Sequence, residues 1–198
     1  MEKTNRLRAD GTRGILFSRS SYGGTRTEIE KEFSDQIKDL MENDAVLALD
    51  GFNQHINTSR LSHSLNVSYY SFRLSKIFGF NAYLAARAGL MHDLFLYDWR
   101  QEKKEEHHAF AHPKEALKTA NSITKVSPIE ENAILSHMWP LSKIRPIYAE
   151  AFAVNIADKL CCALEVCVGI TRKAKAVMAI PLPAPRAKPA RAQQSHAT

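Results

Sequence analysis

At 198 residues the chain is long enough for one domain with its own core and too short for two ordinary ones. Hydrophobic residues at 44% and charged residues at 24% are those of a globular protein, and no run approaches the roughly 18 apolar residues of a membrane-spanning helix. The net charge of +6 sits in one place. Arg172, Lys173, Lys175, Arg186, Lys188 and Arg191 follow the last acidic residue, Glu165, while the other 21 basic residues match the 21 acidic ones, so the body has no positive excess for nucleic acid or a membrane surface.

Residues 1–27, with Gly11, Gly14, Gly23 and Gly24 and no sustained period, read as a flexible leader. Their basic residues precede no apolar run of the kind a secretory signal carries, so the expected compartment is the cytoplasm. Glu28 opens a first predicted helix reaching about Asn43, with Ile29, Phe33, Ile37 and Leu40 on one stripe. A second spans about Ser59 to Phe78, places Leu61, Leu65, Tyr69 and Phe72 at helical spacing, and stops at Gly79. The third, about Ala82 to Leu96, is almost wholly apolar, the mark of a central buried helix. Pro113 suits the first turn of a fourth. Ser127-Pro-Ile-Glu130 is a capping box that starts a fifth, running towards His137. Pro140 and Pro146 punctuate the loop after it, and a sixth helix covers about Tyr148 to Ile170.

The expected fold is therefore all-α, a compact bundle of about six helices over residues 28–171. Residues 172–198 are basic and rich in Pro and Ala, a composition that cannot offset the entropy of ordering it; this tail is the one part offered to nucleic acid. Cys161, Cys162 and Cys167 lie within seven residues of the sixth helix, too close for a disulfide framework, and read as small buried thiols.

Metal-ligand residue types recur once per element: His63 in the second helix, His92-Asp93 in the third, His112 at the fourth, His137 ending the fifth and Asp158 in the sixth. His92 and Asp93 sit in the apolar string Ala88-Gly-Leu-Met-His-Asp-Leu-Phe-Leu96, where an unpaired carboxylate costs several kcal/mol to desolvate. A divalent cation compensates that cost and keeps the Asp ionised and the His neutral. Any single histidine of this kind is more often a hydrogen-bonded core residue; the set as a whole is harder to explain that way.

The strings Arg60-Leu-Ser-His63-Ser-Leu-Asn-Val67, Ala88-Gly-Leu-Met-His92-Asp93 and Ile156-Ala-Asp158-Lys159 resemble the His … His-Asp … Asp signature of the HD phosphohydrolase superfamily. The likeness covers about residues 29–168. It continues through Leu96-Tyr-Asp-Trp99, His112-Pro-Lys-Glu-Ala-Leu and Ser136-His-Met-Trp-Pro-Leu141, which are similar to small bacterial HD proteins described as hydrolases. The resemblance implies a metal held by His63, His92, Asp93 and Asp158. It implies further that His112 and His137 match the extra histidines of the two-metal subgroup, with Asp93 bridging to a second ion. Fe or Mn is the ion the resemblance favours, with Mg, Co, Ni and Zn open to the same ligands. The Gly-Tyr-Pro motif of the cyclic-dinucleotide phosphodiesterases in that subgroup is not in the sequence.

Arg60, three residues before His63, and Lys159, beside Asp158, are expected with His92 and Asp93 in the catalytic set, as cations for a phosphate. Lys143 and Arg145 are weaker candidates, His107 and His108 belong to a loop, His55 reaches at most the rim, and Trp99 and Trp139 are possible platforms for a nucleobase. The leading expectation is hydrolysis of a phosphoester or phosphoanhydride in a nucleotide or other small phosphorylated metabolite. The competing readings are a mixed-valent di-iron oxygenase and a non-catalytic binding module using the basic tail.

Overall fold

The computed structural model describes residues 28–55, 58–98 and 108–178. The leader, Trp99, His107 and residues 179–198 lie outside the described residues, as do the side chains of His55 and His108. Helices dominate: α1 (Glu28–Gln36), α2 (Lys38–Met41), α3 (Asp44–Leu47), α4 (Arg60–Phe78), α5 (Ala82–Met91), α6 (His108–Ile123), α7 (Pro128–Ser136) and α8 (Ala149–Met178). A 3-10 turn at Ala48–Gly51 leads into a short antiparallel pair, β1 (Asn53–His55) and β2 (Thr58–Ser59), just before α4. Among the described residues no helix is long and apolar enough to cross a membrane.

The all-α fold is as expected, with differences that have local causes. The first predicted helix breaks at Ile37, whose backbone (φ −112°, ψ 7°) leaves the helical range, so its apolar stripe is divided between α1 and α2. Asn43 then caps α3 by accepting from the Ala45 N–H. The second helix matches. Ser59 caps its start through Ser62 N–H, and Gly79 ends it with φ 74°, a left-handed conformation open to glycine at little cost. The capping box at Ser127 and Glu130 forms in both directions. The fourth helix begins upstream of Pro113, at His108, so that proline lies inside it and contributes no N–H to the ladder. The last helix continues eight residues past Ile170, because Thr171-Arg-Lys-Ala-Lys-Ala-Val-Met178 consists largely of good helix formers.

The third helix differs most consequentially. It ends at Met91, and His92-Asp93 occupy the turn beyond it rather than the helix interior. Phe95 N–H bonds the Asp93 carbonyl at 2.8 Å, and the buried Arg60 guanidinium donates to the carbonyls of Phe95 and Tyr97. That donor gives the carbonyls of the departing chain a partner other than the helical ladder.

Two apolar clusters hold the bundle. Phe33, Ile37, Leu40, Val46 and Leu49 pack on Leu61, Leu65, Tyr69 and Phe72 of α4 and on Ala86 and Leu90 of α5. The second cluster is built from small residues, chiefly Ala88, Ala133, Ala151, Val154, Ala157 and Cys161, which lets α5, α7 and α8 run close together. The closest crossing is α4 on α5. A Cβ at Gly89 would stand 2.8 Å from the Ser68 Cα and 3.1 Å from the Val67 carbonyl, so only glycine fits there. Ser68 Oγ donates to the Ala86 carbonyl across the same contact.

Candidate metal centre

The crossing at Gly89 brings His63 of α4 against His92 at the end of α5, with ring centroids 5.3 Å apart. His63 is fully buried; its Nδ1 lies 3.0 Å from Glu165 Oε2 and its Nε2 3.2 Å from Asp158 Oδ1, both carboxylates on α8. Asn66, one turn along α4, donates to the other Glu165 oxygen at 2.8 Å. His92 donates from Nδ1 to the Gly89 carbonyl, which leaves Nε2 facing Asp93 Oδ2 at 3.6 Å and Asp158 Oδ1 at 3.7 Å.

The second half of the centre lies across Asp93. His137, just past the end of α7, donates from Nδ1 to the Ile134 carbonyl, and its Nε2 lies 3.6 Å from Asp93 Oδ1. His112 of α6 places Nε2 3.3 Å from the same oxygen and 2.8 Å from His137 Nε2. Asp93 thus has one oxygen towards each half, and Oδ2 also accepts from Gln54 of β1 at 2.6 Å. The six residues come together from five helices and their ends, none more than 7% exposed.

Burial alone would neutralise both aspartates, yet both carboxyls are held well below the usual carboxylate range. Asp93 is held there first by the charge of His92, then by His112 and His137, and Asp158 by the hydrogen bond from His63 and by the His92 imidazole facing it. His63 is lowered by burial, but the hydrogen bonds to Asp158 and Glu165 prevail and push it up to about 10. His137 goes the other way: burial, then the charges of His112 and His92, push it down to about 3.

The donor set fits a divalent cation. Among the described residues His92 Nε2 and Asp93 Oδ1 are buried with no hydrogen-bond partner, a loss of about 1–3 kcal/mol for each such group. Among the groups of side chains placed to hold an ion are His63, His92 and Asp93, and Asp93, His112 and His137, with ligand atoms within 4.8 Å of one another in each. Fixing an imidazole through one nitrogen so that the other faces inward is the usual arrangement around a bound metal.

The neighbouring cations are placed differently from expectation. Arg60 is fully buried, stacks on the Phe52 and Phe95 rings, and spends its N–H groups on Gln54 Oε1 and the Phe95 and Tyr97 carbonyls. It shapes the turn that carries Asp93. Lys159 donates to the carbonyls of His137 and Asn155, and burial lowers its pKa. Asn155 donates to the carbonyls of Ser136, His137 and Trp139, so α8 secures the chain on both sides of His137. Lys143 and Arg145 are exposed, and Lys143 lines a mostly apolar pocket of about 390 Å³ with Phe110, Pro113, Leu135, Leu141 and Ile144. Trp139 is 39% exposed and packs edge-on against Phe152. Of the three cysteines only Cys161 is fully buried; Cys167 is exposed.

Four supporting residues escaped the sequence reading: Gln54, Asn66, Asn155 and Glu165. Glu165 carried a signal, because it falls seven residues, or two turns, after Asp158 and interrupts the apolar string around Leu164 and Val166.

The HD domain family matches residues 60–162, just over half of the chain, and the chain belongs to this family of metal-dependent hydrolases. All six residues of the centre lie within the matched span. No curated protein and no solved structure matches the chain.

Proposed function

We propose that the protein is a two-metal phosphohydrolase, cleaving a phosphoester or phosphoanhydride in a nucleotide or other small phosphorylated metabolite. The observation that carries this reading is the shared carboxylate. Asp93 faces His92 with one oxygen and His112 and His137 with the other, while its Oδ1 and His92 Nε2 lack any hydrogen-bond partner among the described residues. His63, His92, Asp93 and Asp158 would hold one ion, and Asp93, His112 and His137 a second. Divalent ions held there supply Lewis acidity, activating water and polarising a phosphoryl oxygen.

The chain's own residues do the rest. Glu165 and the Gly89 and Ile134 carbonyls fix three imidazoles through Nδ1 so that each Nε2 points at the aspartates. Gln54, itself oriented by Arg60, pins Asp93 Oδ2 and so fixes the plane of the shared carboxylate. Asp93 and Asp158, kept ionised by the surrounding imidazoles, supply the negative charge that offsets cations. The six residues of the centre, none more than 7% exposed, keep most bulk water out, which strengthens each of these interactions. Iron or manganese as the ion, and the cytoplasm as the compartment, belong to the same proposal.

Metal analysis of the purified protein, followed by a phosphate-release screen over nucleotides and sugar phosphates without oxygen, tests it. Asp93→Ala is expected to lose both ions and all measurable activity while its far-ultraviolet circular dichroism stays helical. An active, metal-free Asp93→Ala protein would sink the proposal, and turnover that requires oxygen would replace hydrolysis with oxygenation.

A further inference from the structure

We propose that Cys162 supplies a sulfur ligand to the metal on the His63 side of the centre. The inference rests on the metal-centre reading and deepens it, because the set implied by the family likeness holds only nitrogen and oxygen. Cys162 follows Asp158 by one turn of α8 and lies on the same face; its Sγ stands 3.5 Å from Asp158 Oδ1. A third group of side chains placed to hold an ion consists of His63, Asp158 and Cys162, their ligand atoms within 4.8 Å of one another. The fully buried His92 Nε2, which has no hydrogen-bond partner, faces the same Asp158 oxygen. The other thiols do not reach. Cys161 is packed in the apolar cluster with Val154 and Ala157, and Cys167 is exposed.

Ligation exchanges the S–H bond, now directed at Asp158, for a sulfur–metal bond, and the proton leaves to solvent. No electron changes hands. A thiolate is a soft donor, and one in this set biases the site towards Zn, Co or Fe and away from Mg and Mn. Cys162 thereby acts as a selectivity element for the ion.

The test uses the full-length chain loaded with Co(II), which reports a sulfur ligand through a near-ultraviolet thiolate-to-cobalt charge-transfer band. The band is expected in the unaltered protein and in Cys161→Ser, and is expected to vanish in Cys162→Ser with cobalt still bound by dialysis. Cys162→Ser should also lower the preference for Zn over Mn by about tenfold or more. Cobalt bound without the band, or a band that survives in Cys162→Ser, overturns the sulfur ligand and leaves the metal centre standing. Failure of the unaltered protein to bind cobalt, zinc or manganese removes both. Should the serine variant misfold, alkylation of the unaltered chain decides: bound Zn must protect Cys162 from iodoacetamide while leaving Cys167 reactive, and equal modification with and without Zn refutes the ligand.

Discussion

The two sides of Asp93 use the same residue type and give it opposite character. On the α4–α8 side, His63 is backed by the Glu165 carboxylate and faces Asp158, and it is pushed up to about 10. On the α6–α7 side, His137 is backed by a main-chain carbonyl and sits beside His112, and it falls to about 3. A carboxylate behind an imidazole makes it a strong donor; a neutral carbonyl leaves it a weaker one. His63 stands in the first turn of α4, His92 and His137 just past the ends of α5 and α7, and Asp158 well inside α8. Counting the shared Asp93, the first side offers four candidate ligands (His63, His92, Asp93, Asp158) and the second three (Asp93, His112, His137), so we expect the first to bind its ion tightly and the second to bind more weakly and exchange.

Removing a ligand from each side gives the largest test of that contrast. His63→Ala should weaken the tightest ion by more than the roughly 10–100-fold that follows loss of an outer partner. His137→Ala should leave that ion in place and reduce the content from two to one. Calorimetric titration with a single metal reads both, and equal losses would break the comparison. A smaller effect is expected from Gly89→Ala. The new methyl meets Ser68 backbone rather than a flexible side chain, so α5 must move off α4 at a cost of about 1–3 kcal/mol. Urea unfolding of the metal-free protein measures it, and an unchanged midpoint would deny that this crossing sets the distance between His63 and His92. The mildest is Glu165→Gln, which keeps an acceptor for His63 but loses the charge. About a tenfold loss of affinity at the first ion, with the second unaffected, is the expected result.

Much of the centre was legible because its residues are expensive where they stand. Charged and imidazole groups inside apolar helical strings need a reason, and six of them in order pointed to one. The ends of α4 and the start of α7 were legible for a local reason: Ser59, Gly79 and the Ser127–Glu130 pair act within one turn of themselves. The end of α5 was not. Nothing after Met91 signals a stop, since Leu94, Phe95 and Leu96 continue the apolar run; the chain leaves the helix where a guanidinium from α4 binds its carbonyls. The main-chain partners of Arg60 were not legible either, because a buried arginine looks, in sequence, like one bound for solvent or substrate. Gln54 and Asn155 were silent because amide side chains carry no charge whose burial demands explanation.

Helix α8 touches the centre at successive points along one face: Asn155 and Lys159 on the carbonyls around His137, Asp158 between His63 and His92, and Glu165 behind His63. With a rise of about 1.5 Å per residue, these attachments are spaced along a rigid rod some 15 Å long. A lengthwise slip of that rod would disturb both halves together, so whatever draws one half tight also seats the other. The two sets of ligands are assembled by a common ruler.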